Sequence, residues 1–312
     1  MSNIVTVTLN PALDKFISVD HLRPGYESLA GEVSIVAGGK GVNVSRALRQ
    51  FVLLSVRAIG FAGGNSGEHL KQLLEVEKIP NEFYLIHGQT RSNYTFIDNN
   101  GQRTRVLEPG PLVLFSEWKA FLKKYKILLG AQTCVVLSGR NANGLTHSAY
   151  GELIRLAHQN QCCCFLDTSG QPLIEGLKAG PDFIKPNQSE AEEVLGYKLS
   201  SINRIKKALK EFYQMGARRV IISRGPEGVV AFDGENFFEA AARVNFKLVN
   251  DVGCGDSCVA GFIGNHISGN SFIESLRFGV AFGMANMQVQ IPGGIQMAVA
   301  KKILPKVYVK ML

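Results

Sequence analysis

The residues best placed to do chemistry lie in Asn250-Asp-Val-Gly-Cys-Gly-Asp-Ser-Cys-Val-Ala-Gly261. Gly253 and Gly255 free the backbone just before an apolar-periodic stretch that starts near Asp256. A glycine-rich turn entering a helix presents several unpaired N–H groups and the positive end of the helix dipole, which together make an anion site. A carboxylate in that nest can take a proton from a hydroxyl while the N–H groups stabilise a phosphoryl group in flight. From spacing alone, an Asp256 that merely decorates the first turn of the helix is an equally good reading.

A second glycine-rich turn is Ala37-Gly-Gly-Lys-Gly-Val-Asn-Val-Ser-Arg46. Its glycines let a ligand approach the backbone around Lys40, and Asn43 faces the same side from the next turn. It lacks the Walker pattern, and a helix start with a solvated lysine is the plain alternative. In Ile184-Lys-Pro-Asn-Gln-Ser-Glu190, Pro186 keeps Lys185 extended and so ends a strand. Asn187 and Glu190 have the N-cap and N3 spacing of a capping box. The functional alternative puts Lys185 on a phosphate and Glu190 near a magnesium shell. Ser223-Arg-Gly-Pro-Glu-Gly-Val229 is either a simple hairpin turn or a loop closing over a nucleotide. Asp14, after the first strand and Asn10-Pro11, suits recognition of a hydroxyl or is a surface-turn aspartate.

Alternating strands and helices must hold these turns in place. The N-terminal MSNIVTVT reads as a first strand. Val56–Phe61 precedes a helix around Gly67–Val76, and Thr133–Leu137 precedes one around Thr146–Asn160. Cys163–Leu166 and Asp182–Lys185 are strands, followed by a helix from Gln188 to Leu195. Ile202–Met215 is a helix and Arg219–Ser223 the next strand. Asp256–Ile267 and Ser271–Gln288 are two more helices. This rhythm predicts a mainly parallel sheet covered on both faces. Two stretches break it: residues 12–36, with strands Lys15–Val19 and Glu32–Val36, and the hairpin 91–107 around Asn99-Asn100-Gly101. They predict a small β-layer that needs support from the main sheet or from a second copy of itself.

The 312 residues are 46% apolar and 19% charged, which excludes wholesale disorder. Lys plus Arg is 34 and Asp plus Glu is 26, a formal charge of +8. The basic residues are scattered, whereas a nucleic-acid reader would carry a basic stripe with aromatics between. A basic groove for small anions is the economical reading, with no nucleic-acid partner. No apolar run reaches the roughly 18 residues of a membrane span, and the first residues lack the pattern of a signal peptide. Of the six cysteines, Cys162, Cys163 and Cys164 are adjacent and cannot all pair locally. No spacing suggests zinc, and a cytoplasmic protein with reduced, buried thiols is expected.

The stretches 8–14, 37–48, 185–190 and 252–261, in this order and at these distances, resemble the PfkB (ribokinase-like) family of carbohydrate kinases, in its 1-phosphofructokinase and tagatose-6-phosphate kinase branch. The likeness runs from Thr6 to about Gly293. It implies a three-layer α/β/α fold with a mainly parallel central sheet. It implies one kinase domain over 1–312, with a discontinuous β lid from about 12–36 and 91–107. The implied reaction is transfer of the ATP γ-phosphoryl group, with Mg2+, to a hydroxyl of a ketohexose phosphate. Asp256 matches the general base and Gly253, Cys254 and Gly255 its anion hole. Lys185 and Asn187 match positions near the ATP phosphates, with Glu190 holding magnesium through water. Ser223, Gly225 and Gly228 match the nucleotide loop, and Asn286 a position beside the adenine. Asp14, Gly38, Gly39, Lys40, Asn43, Arg91 and Ser138 match the sugar side. Some relatives also hold a monovalent cation beside the Asp251–Val252 and Pro292–Gly293 backbone, and lids in this branch often form a homodimer.

Several positions depart from the branch. Cys254 stands where Ala or Ser is usual, and a thiol at a helix N-terminus is expected to have a lowered pKa and to be sensitive to oxidation. Leu107 precedes Glu108-Pro109-Gly110 in place of an Asn. Ser138-Gly139-Arg140-Asn141-Ala142 replaces Ser-Gly-Ser-Leu-Pro. Glu27-Ser28-Leu29 follows Pro24-Gly25-Tyr26, where a basic residue usually helps hold the substrate phosphate. Arg140, Arg103 or Arg105 could supply that charge, since arginine forks suit phosphate. The loss at Leu29 also leaves open an unphosphorylated sugar or a nucleoside as acceptor. A non-catalytic regulator that binds sugar or nucleotide is opposed by the presence of Asp256.

Overall fold

The β-branched runs of the sequence become strands, and the amphipathic stretches between them become the helices that cover both faces. The computed structural model describes residues 3–51, 53–244 and 248–312. The chain begins with β1 (Asn3–Thr8), β2 (Ala12–Val19), β3 (Ala30–Gly38), α1 (Lys40–Leu48), β4 (Ser55–Gly63) and α2 (Gly64–Val76). It continues through β5 (Asn81–Ile86), β6 (Arg91–Ile97), β7 (Arg103–Leu107), α3 (Phe115–Ile127), β8 (Thr133–Ser138) and α4 (Ala149–Gln159). Next come β9 (Cys163–Asp167), α5 (Gly170–Leu177), β10 (Phe183–Ile184), α6 (Gln188–Leu195), α7 (Ile202–Gln214) and β11 (Val220–Ser223). The last elements are β12 (Val229–Phe232), β13 (Phe237–Ala242), α8 (Cys254–Ile267), α9 (Phe272–Asn286), α10 (Met297–Ile303) and β14 (Val307–Met311).

Ten strands form one sheet in the order β14-β13-β12-β11-β10-β9-β8-β1-β4-β5. The run from β5 to β11 is parallel, as the alternation predicted. Strands β11 to β14 continue it as an antiparallel meander. The parallel strands are buried on both faces: β8, Thr133–Ser138, is buried throughout. Trp118, Phe121, Tyr125, Tyr150 and Phe212 fill one side of the sheet. Phe165, Phe183, Phe262 and Phe282 fill the other. No helix among the described residues is long and apolar enough to cross a membrane.

The two stretches that broke the rhythm do form a separate sheet, of order β3-β2-β6-β7. Asp98 closes the hairpin turn with its carboxylate, which accepts from the Asn100 and Gln102 N–H groups. Leu13 and Ala37 at the base of this sheet pack with Val42 of α1 and Leu70 and Leu74 of α2, so the lid stands on the main body. Arg103 donates to Asn250 Oδ1 at 2.6 Å, and Arg105 pairs with Asp251 at 2.8 Å. The lid is thus clasped to the loop that leads into α8.

Strands β4 and β8 lie on opposite sides of β1, so the chain leaves β1 in two directions. Ligands of open α/β sheets bind outside the carboxyl ends of the strands at such a switch point. The glycine-rich turns all open there.

Candidate active site

Asp256 sits in the first turn of α8, 6% exposed. Gly253 starts that helix with φ +81°, and a Cβ on it would come within 2.7 Å of Pro292. Asp256 Oδ2 accepts from Asn43 Nδ2 at 2.8 Å, which joins the two glycine-rich turns into one site. Asn43 Oδ1 in turn accepts from Arg46. Burial pushes the Asp256 carboxyl up to about 6, with the nearby Asp167 charge adding and Lys40, Asn43 and Lys185 opposing. The site therefore contains a carboxylate that is ionised at neutral pH yet poorly solvated, as a base needs to be.

Two lysines converge opposite it. Lys185, 3% exposed, lies 3.7 Å from Asp167 Oδ1, and Lys40 lies 3.3 Å from the same oxygen. The Lys185 amine is also 3.3 Å from where a Cβ on Gly255 would stand, so it sits against the helix start. Lys40 reaches Glu190 Oε1 at 3.4 Å as well. Burial works against the Lys40 charge, but Asp167, Glu190 and Asp256 raise its pKa well above the usual lysine range. Burial pushes Asp167 up, but Lys185 and Lys40 prevail and hold it below the usual carboxylate range.

Asp167 lies one residue beyond Leu166, where the sequence pattern ends that strand, and no motif marks it. It is the last residue of β9, 1% exposed, and its Oδ2 has no protein partner. Several other buried polar atoms around the cleft share that condition: Thr8 Oγ1, Asn10 Oδ1, Arg91 Nε, Asn93 Oδ1 and Ser138 Oγ. Such atoms cost stability unless something bonds them. Their common position at the strand ends marks a cleft built for a ligand rich in hydroxyls or charge.

On the lid side, Asp14 projects from β2 rather than from a surface turn. Its Oδ1 accepts from Asn93 at 2.8 Å, and burial raises its pKa against the pull of Asn93 and Arg91. Gly38 leaves room for it: a Cβ there would stand 2.1 Å from Asp14 Oδ2. Gly39 adopts φ +116°, closed to most side chains. Arg91 donates to the Asn10 and Glu108 carbonyls at 3.0 Å each. Its pKa is lowered by burial and by the charge of Arg140, partly offset by Asp14 and Glu108.

Both capping-box bonds of the 187–190 turn form, Asn187 Oδ1 with the Glu190 N–H at 2.9 Å and the reverse at 2.8 Å. The Asn187 side chain is therefore held in the cap, while Glu190 keeps one oxygen facing Lys40. Ser223 ends β11 and its N–H bonds to Pro186. Gly225 and Gly228 shape a turn with φ +57° and +80°, leading straight into β12, so this segment is a hairpin at the rim of the cleft.

Three expectations are corrected. Asn286 has no polar atom to offer an adenine: it is fully buried, and its amide is bonded to Val252, Ser257 and Gly293. The Cys254 thiol is raised, not lowered, because its burial, with the charges of Asp251 and Asp256, outweighs the hydrogen bond from Asn286. Arg103 and Arg105 are spent on residues 249–251, so neither replaces the missing lid charge. Arg140 alone of the three faces solvent without an ion-pair partner among the described residues.

Away from the cleft, the ligand atoms of His158, Cys164 and Asp182 lie within 4.8 Å of one another, a cluster that sequence spacing did not reveal. Asp182 is already held by Arg218 and by the Cys164 N–H. The six cysteines are free thiols, four of them buried.

A mainly parallel α/β fold with a separate four-stranded sheet thus brings a glycine-rich helix start, a buried carboxylate and two lysines to one cleft. The chain belongs to the pfkB family of carbohydrate kinases, whose sequence model matches residues 7–295. It is an ATP-dependent sugar kinase by family. It is 36% identical over 296 residues to tagatose-6-phosphate kinase of Staphylococcus epidermidis, covering 94% of each chain. It is 33% identical over 282 residues to 1-phosphofructokinase of Bacillus subtilis, covering 90% of this chain and 91% of the other. Among solved structures it resembles phosphofructokinase-2 of Escherichia coli in complex with potassium, with TM-score 0.92 and 30% identity over 98% of this chain and 99% of that one.

Proposed function

We propose that this kinase transfers the ATP γ-phosphoryl group to a hydroxyl of a phosphorylated ketohexose, with Asp256 as general base. The observation that carries this is the buried Asp256 at the start of α8, tied to the sugar-side Asn43. The acceptor hydroxyl gives its proton to Asp256 as its oxygen attacks the γ-phosphorus, and the bond from that phosphorus to the β,γ-bridging oxygen breaks to release ADP. The N–H groups of Gly253, Cys254 and Gly255 and the Lys185 ammonium receive the charge of the phosphoryl group in flight. Asp14 and Asn93 accept and donate at the sugar hydroxyls, and Ser138 offers an unpartnered hydroxyl from β8. Ser223, Gly225 and Gly228 form the rim on which the nucleotide lies. The pairing of Arg103 and Arg105 with the 249–251 loop supports a lid that closes over the sugar.

The donor set suits magnesium: Asp167 Oδ2 is buried without a partner, and Glu190 keeps one carboxylate oxygen toward the same space. Oxygen ligands with water are what this ion takes. Bound there, it would offset phosphate charge. The names of the relatives support a hexose phosphate, and Arg140 beside Arg91 supplies the fork for its phosphate. Exposed apolar residues on the lid strands, such as Val33 and Val106, support a homodimer through that sheet. The protein acts on small molecules, without nucleic acid or a membrane, in the cytoplasm.

ATP turnover with Mg2+ on fructose 1-phosphate, tagatose 6-phosphate, free sugars and nucleosides tests the reading. Turnover on a ketohexose phosphate, with KM raised at least tenfold in Arg140→Ala and little change in kcat, is the expected result. Leu29, 94% exposed, carries the rival reading of an unphosphorylated acceptor, and turnover confined to free sugars or nucleosides would establish it.

A further inference from the structure

At the end of the main sheet away from the cleft, three elements bring unlike donor atoms together. His158 comes from the last turn of α4, Cys164 from β9 and Asp182 from the residue before β10. Their ligand atoms, an imidazole nitrogen, a sulfur and a carboxylate oxygen, all lie within 4.8 Å of one another. His158 Nε2 is 3.1 Å from Asp182 Oδ2. Two ligands about 2.1 Å from a zinc ion at the tetrahedral angle stand roughly 3.4 Å apart, so that pair needs almost no movement. A sulfur at about 2.3 Å and a nitrogen at about 2.1 Å stand roughly 3.6 Å apart, so the thiol has little more than about 1 Å to close. The Cys164 sulfur is fully buried and makes no hydrogen bond among the described residues, whereas that of Cys162 donates to the Gly130 carbonyl.

The carboxylate is held as a ligating carboxylate is held. Asp182 Oδ1 accepts from Arg218 at 2.9 Å, and Oδ2 accepts from the Cys164 N–H at 2.8 Å. Hydrogen bonds of this kind orient a metal ligand from behind. The Arg218 side chain is mostly exposed, so water and salt screen its charge. The His158 side chain is a quarter exposed, which gives an ion an entry path and leaves a water as fourth ligand.

We propose that His158, Cys164 and Asp182 form a binding site for a zinc ion. A sulfur and an imidazole do not suit magnesium or calcium, which take oxygen ligands, whereas a mixed nitrogen, sulfur and oxygen set suits zinc. On binding, the ion exchanges waters for the three donors, the Cys164 thiol gives its proton to solvent, and His158 keeps its ring proton on Nδ1. The thiolate and the carboxylate then balance the two charges of the ion. Cys164 stands three residues before Asp167, about 10 Å along β9, so this site is separate from the cleft. The ion ties the end of α4 to β9 and to the entry of β10, and its role is to hold those pieces together.

The test reads metal binding and not turnover, so it stands apart from the kinase reading above. The full chain is stripped of metal with a chelator, kept reduced with a phosphine, and titrated with zinc and with cobalt(II). One zinc per chain should raise the Tm by roughly 4 °C at about a hundredfold its Kd, the size expected for a chain of this length. Cobalt(II) should show a thiolate-to-metal charge-transfer band. That band should vanish in Cys164→Ser, and the zinc Kd should rise at least tenfold in His158→Gln. A wild type whose Tm ignores zinc, or whose cobalt form lacks the band, would overturn the proposal. Variants that keep the band and bind zinc as tightly as wild type would place the ion on other residues and refute it equally. If Cys164→Ser fails to fold, the wild-type band and the His158→Gln affinity decide.

Discussion

Replacing Asp256 with Asn should damage catalysis and strengthen the fold at the same time. The amide keeps the shape and still accepts from Asn43, but it cannot take a proton. General-base removal costs about 10²–10⁴-fold in kcat. The stability effect follows from burial. The Asp256 carboxyl rises from 3.8 to about 6 in the folded protein, so ionising it there costs about 3 kcal/mol more than in the unfolded chain. A raised carboxylate pKa means the folded state holds its proton longer. Stability is thus full below about pH 4 and falls as pH climbs from there through 6. At pH 8 the wild type carries the whole penalty and the Asp256→Asn protein none. The variant should therefore melt several degrees higher, a gap that closes as pH drops toward 4. Turnover is followed by ADP release on the best acceptor, and Tm by calorimetry at pH 4, 6 and 8. A variant within tenfold of wild type, or one that melts lower at pH 8, would refute the assignment of both the base and its environment.

Other outcomes follow from single contacts. Lys185→Met removes one of the two cations on Asp167 without opening a cavity, and should raise the KM for ATP at least tenfold while the fold survives on Lys40. Gly38→Ala places a methyl 2.1 Å from Asp14 Oδ2, so circular dichroism should show a folded protein whose acceptor KM rises by tenfold or more. The Cys254 thiol, raised by burial, should alkylate slowly at pH 7.5 and faster with each step in pH beyond 9; rapid loss of activity to a thiol reagent at neutral pH would contradict that.

The parallel half of the sheet was legible because each strand is a β-branched run followed by a helix of the right length. Helix α6 spans the predicted residues, since Asn187 and Gly196 punctuate it at both ends. Helix α3 is absent from the predicted elements although its pattern is clear: Trp118, Phe121 and Tyr125 fall three and four residues apart and all point into the core. The antiparallel meander was not legible. Its last pair joins Phe238 to Met311, and nothing local in either strand specifies a partner so distant. The same holds for Arg103, whose partner Asn250 is 147 residues away; a local reading counts the charge as free. Cys254 shows two local rules in conflict. The motif offers a helix N-terminus, which lowers a thiol pKa, while the packing of α9 buries the sulfur and wins.

Asp167 shows what a strand-end carboxylate does that no motif announces. It stands where β9 stops, and one of its oxygens holds both site lysines while the other is left buried and unpaired. Three carboxylates, Asp167, Glu190 and Asp256, thus share two ammonium groups. The lysines sit nearer Asp167 than Asp256, so Asp167 ionises easily and Asp256 does not. Removing the Asp167 charge would release both lysines toward Asp256 and pull its pKa down, leaving a weaker base. The proton affinity of Asp256 therefore depends on the Asp167 charge as well as on its own burial. With a pKa of about 6, roughly nine in ten Asp256 carboxylates are ionised at pH 7, and each remains strong enough to accept a proton.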